Sequence, residues 1–225
     1  RNTVKIENYQ TGIVSLPREE GPLSGGMGSK AEFITIKILT SEGIEGIGYA
    51  GFTSSVMVKA LKETVDALLD QIIGTDPRMV EQINSHLRNL AGVGAPAGIA
   101  TRAISGIDVA LWDIKGKLAS EPIHRMLGGY RDTVPTYASG FLWRNFNLER
   151  LEKTSKELVS QGFTAMKFRM GEEDSAKKEL ARMETMRNAV GEEITLMLDI
   201  NQGWDINTAI SIGRELAQYN LYWLE

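Results

Sequence analysis

Three short apolar runs in the second half of the chain each end in side chains able to do chemistry. They are Thr164-Ala-Met-Lys167-Phe-Arg169, Ile194-Thr-Leu-Met-Leu-Asp199-Ile-Asn201 and Leu221-Tyr-Trp-Leu-Glu225. Segments of helical pattern separate them, so together they read as βαβαβ. Strands of a parallel sheet are buried on both faces and should be almost wholly apolar, so a charge at the last position costs stability unless it serves a site there. That end is where α/β folds bind ligands. Side chains alternate along a strand, so Lys167 and Arg169 point the same way, roughly 7 Å apart, while Met166 and Phe168 face covering helices. By the same parity Met197, Asp199 and Asn201 share one face, and Leu221, Trp223 and Glu225 share another. A cation pair, a carboxylate with an amide, and a second carboxylate thus reach one rim. Taken singly, each is equally well a solvated strand end or an isolated ion pair. Their coincidence on three successive strands favours a binding or catalytic site.

The elements that must position these residues follow from periodicity. Val4–Ser15, Ala31–Thr40 and Ile44–Ala50 read as antiparallel strands, the last two joined by a turn at Ser41-Glu42-Gly43. Between the first two lies a polar, glycine-rich loop, Pro17 to Lys30, of the length that active-site lids have. A solvated linker fits its composition equally well. From Ser54 the period becomes helical. Ser54 is placed to cap a helix with a stripe at Val58, Leu61, Val65, Leu68, Leu69 and Ile72, and Asp76-Pro77 to open the next. A third helix carries Ile104, Ile107, Val109, Ala110, Leu111, Ile114 and Leu118, too broad an apolar surface for an exposed helix, so it should lie between two layers. After Tyr130 the pattern changes again. Val134–Ser139 is expected as the first parallel strand, with Asn147 and Asp205 capping helices and another helix over about Ser175 to Val190. Each strand-to-strand step takes about 30 residues, as a βαβ unit does. A complete barrel takes about 250 residues, so the stretch from Thr133 is room for half of one, and the stop directly after Trp223-Leu224-Glu225 leads to the expectation of a truncated chain.

Composition narrows the function. A net charge of −4 gives no footprint for nucleic acid or an anionic membrane. With no cysteine, disulfides, thiolate catalysis and cysteine-ligated zinc are excluded. No apolar run approaches a membrane span and no signal-peptide pattern is present, so a cytoplasmic location is expected. The two histidines, His86 and His124, are far apart in sequence and read as structural or surface residues. Gly92-Val-Gly-Ala-Pro-Ala-Gly98 has the wrong spacing for a dinucleotide fingerprint and follows a helix.

At Ala103-Ile-Ser-Gly-Ile-Asp-Val-Ala-Leu-Trp112-Asp113-Ile-Lys-Gly-Lys117, Lys167-x-Arg169, Asp199-x-Asn201 and Trp223-Leu224-Glu225 the sequence resembles the mandelate racemase and muconate lactonizing enzyme family of the enolase superfamily. The resemblance covers essentially the whole chain. Ala103–Lys117 and Leu127-Gly-Gly-Tyr-Arg-Asp132 are most similar to acid-sugar dehydratases of the talarate and galactarate type. It implies an α+β capping domain over residues 1–128 and the first four strands of a TIM-type (β/α) barrel over 129–225. It further implies Mg²⁺ held by Asp199 and Glu225, with a third ligand and an acid/base histidine beyond this chain. The loop containing Ser24 would close over the site, and Ser24 and Phe52 or its neighbours would touch the substrate. The partner would be a small carboxylate-bearing substrate, with no nucleic acid or membrane, in a homo-oligomer.

The implied chemistry suits these residue types. A proton α to a carboxylate is too weakly acidic for a side-chain base unless the enediolate is stabilised, which a divalent cation on hard oxygen ligands does. A lysine base must fall from about 10.4 towards ~7–8, and neighbouring positive charge from Mg²⁺ and Arg169 pushes it that way. The family more often has lysine at both ends of the Lys-x-Lys pair, the second acting as base. Here the second is Arg169, which stays protonated but binds carboxylates in a bidentate fork. Lys167 and Arg169 are therefore the catalytic candidates, with Arg169 and Asn201 also contacting substrate. A dehydratase of an acid sugar is the leading expectation. A racemase or epimerase using the same enolate, and a non-catalytic carboxylate-binding relative, are the alternatives.

Overall fold

The computed structural model describes residues 4–17, 30–51, 55–94 and 97–225, the side chain of Lys30 excepted. Ser24, Phe52 and Ser54 lie outside these residues, as does nearly all of the loop expected to act as a lid. The chain forms two compact units that part between Asp132 and Thr133.

The first unit holds an antiparallel sheet of β1 (Ile6–Pro17), β2 (Lys30–Thr40) and β3 (Glu45–Ala50) in that order. Alternation sends Ile34, Ile36 and Ile38 of β2 inward, all essentially inaccessible to solvent. Helices α1 (Val58–Asp70) and α3 (Ile99–Ala119) cover this face, and α2 (Val80–Ala91) packs on α3. The broad apolar surface of α3 is used as expected, packing on β3 with one side and on α1 and α2 with the other. Gly46 and Gly48 permit this approach, because a Cβ on Gly48 would collide with the Gly106 carbonyl. Asp76 does not cap α2. Its carboxylate accepts from the Arg78 backbone N–H and guanidinium, forming a turn that delays the helix until Val80. A short helix, α4 (Ile123–Met126), ends the unit.

The second unit is a parallel sheet of β4 (Ala165–Arg169), β5 (Thr195–Asp199) and β6 (Leu221–Leu224) in sequence order. Helices α5 (Leu148–Ser160), α6 (Ala176–Val190) and α7 (Ile206–Leu216) alternate with the strands. Asn147 and Asp205 cap α5 and α7 as expected, accepting from the N–H groups of Arg150 and Thr208. Met166, Phe168, Leu196 and Leu198 are fully buried in one core with Leu151, Met183, Met186 and Ile212.

The stretch Val134–Ser139 departs from expectation. It makes a single parallel bridge, Ala138 to Met166, instead of a strand. Pro135 has no N–H to give a ladder, and Gly140 at φ +92° turns the chain away. Among the described residues the parallel sheet therefore has three strands and one bridge. Parity also fails at one place on β6. The register slips between Leu196 and Met197, so Leu221 pairs with Leu196 and packs into the helix-side core, whereas Trp223 pairs with Met197. Trp223 and Glu225 share the face that carries the site, and Leu221 does not. Among the described residues no helix is long and apolar enough to cross a membrane.

Candidate active site

In the one-to-one register of β4 and β5, Arg169 stands beside Asp199, and Lys167 lies one alternation below on the same face. The backbone continues this alignment. Glu225 donates its N–H to the Leu198 carbonyl and accepts from the Ile200 N–H, which brings it level with the end of β5. The C-terminal rim thus gathers Lys167, Arg169, Asp199, Asn201 and Glu225, all five predicted from sequence.

Lys167 is the hub. Its Nζ donates to Glu225 Oε2 at 2.7 Å and to Asp199 Oδ2 at 3.3 Å. Lys167 and Asp199 are only 7% and 3% exposed, so neither charge could be left unpaired there. Burial disfavours the ammonium, but the hydrogen bonds and charges of Glu225 and Asp199 outweigh it and raise the Lys167 pKa above the ordinary lysine value. The downward shift expected from neighbouring positive charge is opposed here by these two carboxylates, which hold the lysine as an ammonium.

Asp199 also shapes the turn that follows. Its Oδ1 accepts from the Asn201 backbone N–H at 2.7 Å, and its Oδ2 from Asn201 Nδ2 at 2.9 Å. Asn201 adopts φ +45°, a left-handed conformation that asparagine tolerates better than most residues. The amide is therefore fixed with Nδ2 towards Asp199 and Oδ1 turned away. That Oδ1 accepts from Arg169 Nε at 3.1 Å and from Nη2 of Arg144. Arg169 is 3.6 Å from Asp199 Oδ2 and lies 4.3 Å above the Trp143 ring. Its pKa is lowered, chiefly by burial, with Asp199 opposing and Arg144 adding to the shift.

Sequence reasoning missed Arg144, Trp143 and the residues that hold them. Arg144 sits in the loop between the Ala138 bridge and α5, flanked by the buried Leu142 and Phe146. A basic side chain inside the apolar run Leu142-Trp-Arg-Asn-Phe146 is the signal that could have found it. Behind the rim, α6 buries two charges one turn apart. Glu179 Oε1 accepts from the N–H groups of Gly171 and Glu173, and the Arg182 guanidinium donates to the carbonyls of Phe146 and Trp143. Burial raises the Glu179 pKa and lowers that of Arg182. Both histidines are surface residues of the first unit, His124 bonded to Asp132 at 3.2 Å.

Two carboxylates level on neighbouring strands form a hard-oxygen donor set that fits a divalent cation. Among the described residues no cluster of three carboxylate or imidazole groups completes such a site.

With this geometry in place, comparison with known proteins is decisive. Residues 10–128 match the mandelate racemase / muconate lactonizing enzyme N-terminal domain, and residues 150–225 match the enolase C-terminal domain-like family. The chain belongs to the mandelate racemase/muconate lactonizing enzyme family of the enolase superfamily. It is 32% identical over 199 residues to the L-talarate/galactarate dehydratase of Salmonella typhimurium, covering 88% of this chain and 49% of that protein. It is 31% identical to the 3,6-anhydro-alpha-L-galactonate cycloisomerase of Streptomyces coelicolor, covering 98% and 61% respectively. The crystal structure of the Salmonella dehydratase liganded with Mg and L-lyxarohydroxamate superposes with a TM-score of 0.90 at 28% identity, over 99% of this chain and 58% of that one. The chain thus spans about half to three fifths of the length of the relatives it matches. Its family includes both lyases and isomerases.

Proposed function

We propose that this chain supplies the capping domain and the first part of the barrel of a magnesium-dependent acid-sugar dehydratase. The observation that carries the reading is the convergence of Lys167, Asp199 and Glu225 from three adjacent parallel strands, with Arg169 and Asn201 closing the rim. The similarity to a talarate/galactarate dehydratase over most of the chain supports the substrate class.

Asp199 and Glu225 would hold the Mg²⁺ from this half of the site. When bound there, the cation supplies charge that makes the proton α to a carboxylate more acidic. Arg169 cannot accept a proton at neutral pH, so its task is to bind a carboxylate oxygen of the substrate. Trp143 under the guanidinium and Asn201 at its Nε fix its orientation. Of the two cations on β4, only Lys167 can give up and take back a proton. It does so only when Asp199 and Glu225 are engaged elsewhere, because paired as they are here they keep it charged. Loss of the α proton, departure of the β hydroxyl as water and tautomerisation of the enol give a 2-keto acid. A racemase must return the proton to the opposite face, a step for which Arg169 is no donor or acceptor.

The test is incubation of the intact protein with Mg²⁺ and a panel of sugar acids in deuterated water. A carbonyl assay should detect a keto acid. Recovered substrate carrying deuterium in both configurations at the α carbon, with no keto acid formed, would sink the dehydratase reading in favour of the racemase.

A further inference from the structure

Arg144 is left without a task by the function proposed above. It is only 9% exposed, an unusual placement for arginine. Its Nη2 donates to Asn201 Oδ1, the same oxygen that accepts from Arg169 Nε. Its Nη1 lies 3.5 Å from Glu172 Oε1, on a side chain 38% exposed. Nε of Arg144 and Nη1 of Arg169 are both buried and have no acceptor among the described residues. Two guanidinium groups thus share one neutral oxygen, and each keeps an unsatisfied N–H. An anion with two oxygens offers an acceptor to each of these N–H groups, and hydrogen bonds from a guanidinium to a carboxylate are among the strong ones.

The position is built. Arg182 bonds the carbonyls of Trp143 and Phe146, on either side of Arg144. Glu179 bonds the N–H groups of Gly171 and Glu173, on either side of Glu172. Two buried charges on one helix therefore hold the two loops that meet in the Arg144–Glu172 pair, which goes beyond what packing requires.

The Asn201 amide also separates two poles. Its Nδ2 faces Asp199, with Lys167 and Glu225 behind, and its Oδ1 faces Arg144 and Arg169. The geometry points to Arg144, acting with Arg169, as the site for a second carboxylate of the substrate, so that the acid bound here is a dicarboxylate whose reacting end lies at the Lys167 pole. Glu172 holds Arg144 in place until that carboxylate arrives. The assignment rests on the sugar-acid reading of the rim.

The probes are galactarate, with a carboxylate at each end, and galactonate, with one. Apparent affinities for the intact, Mg²⁺-loaded protein are read by thermal-shift titration, and keto acid formation is followed separately. Arg144→Gln should weaken galactarate binding about tenfold or more, the scale of a lost charge-assisted hydrogen bond, and leave galactonate within about twofold. Glu172→Gln should leave galactarate binding intact or tighten it. Equal losses for both acids, or no loss for either, would overturn the assignment. Should Arg144→Gln fail to fold, Arg144→Lys decides, with a loss confined to galactarate supporting the site and equal effects on both acids refuting it. The binding pattern without any keto acid would defeat the dehydratase reading while leaving Arg144 in its role. Wild-type protein that binds neither acid overturns both.

Discussion

Lys167 on β4 and Glu225 directly after β6 flank the central strand β5, yet their side chains meet at 2.7 Å over its rim, where Asp199 completes the contact. The lysine ammonium thereby engages both carboxylates proposed to hold Mg²⁺. A monovalent cation on a tether and a divalent one compete for the same oxygens. Lys167→Met should therefore bind Mg²⁺ more tightly, by roughly threefold to tenfold, while losing turnover. It should also destabilise the metal-free protein by about 1–3 kcal/mol, because buried Asp199 loses one of its two cationic neighbours. Calorimetric titration with Mg²⁺ and urea unfolding check the two halves; unchanged or weaker metal affinity would show that Lys167 does not contend for the site.

Asp199 has a second task that separates it from Glu225. It holds the left-handed turn at Asn201 through both carboxylate oxygens. Asp199→Asn should lower Mg²⁺ affinity about tenfold or more, since ligand charge sets affinity for hard cations. Glu225→Gln should lower affinity similarly but leave the turn intact, as judged by the amide resonances of Asn201 and Gln202. Mg²⁺ binding by Asp199→Asn as tight as wild type would remove this residue from the metal site.

Much of this site was legible because parallel strands write their chemistry plainly. In a run such as Met166-Lys167-Phe168-Arg169 the buried alternation leaves no ambiguity about which side chains reach the rim. Asn147 and Asp205 announced their helices because capping is local. Leu221 was misplaced because a slip in register is decided by the neighbouring strand and leaves no mark in its own residues. The strand expected at Val134–Ser139 shrank to one bridge for a reason visible in the sequence, the missing N–H of Pro135. Arg144 and the α6 charges were hidden more deeply. Glu179, Arg182 and Arg187 lie on the buried face of α6, so its apolar stripe is broken where the structure depends on it most.

Arg182 gives a prediction about stability. It is 2% exposed and donates to two loop carbonyls as well as to Glu173 at 3.3 Å. Arg182→Met keeps the length of the side chain but strands these acceptors. Urea denaturation should show a loss of about 3–5 kcal/mol, the usual cost of breaking one side of a buried charged network. A loss below about 1 kcal/mol would mean that water satisfies the carbonyls and that the loop is not held by this residue.

Glu179 gives a prediction about pH. Burial raises its pKa in the folded protein above the ordinary glutamate value. The folded state then binds its proton more readily than the unfolded chain, so the stability this group contributes is present in full at acidic pH and is lost as pH rises through the raised value. Glu179→Gln retains an acceptor for Gly171 and Glu173 without the buried charge. The variant should match wild type at acidic pH and exceed it at neutral pH, in unfolding curves taken across that range. A variant less stable at neutral pH would show that the Arg182 charge nearby outweighs desolvation.

The last prediction concerns the division of labour on β4. Arg169 Nε is committed to Asn201, its ring-stacked plane is set by Trp143, and its Nη1 has no acceptor among the described residues. A planar fork held this way recognises a carboxylate, and it does so without titrating. Arg169→Lys preserves the charge but loses the plane and the parallel N–H groups of the fork. KM for the sugar acid should therefore rise about tenfold, while exchange of the α proton with solvent deuterium stays measurable, since the group that moves the proton is unchanged. Lys167→Met should show the converse, with exchange abolished and binding largely kept. If Arg169→Lys instead abolishes exchange at saturating substrate, Arg169 acts in the proton-transfer step itself, and the electrostatic role assigned to it is wrong.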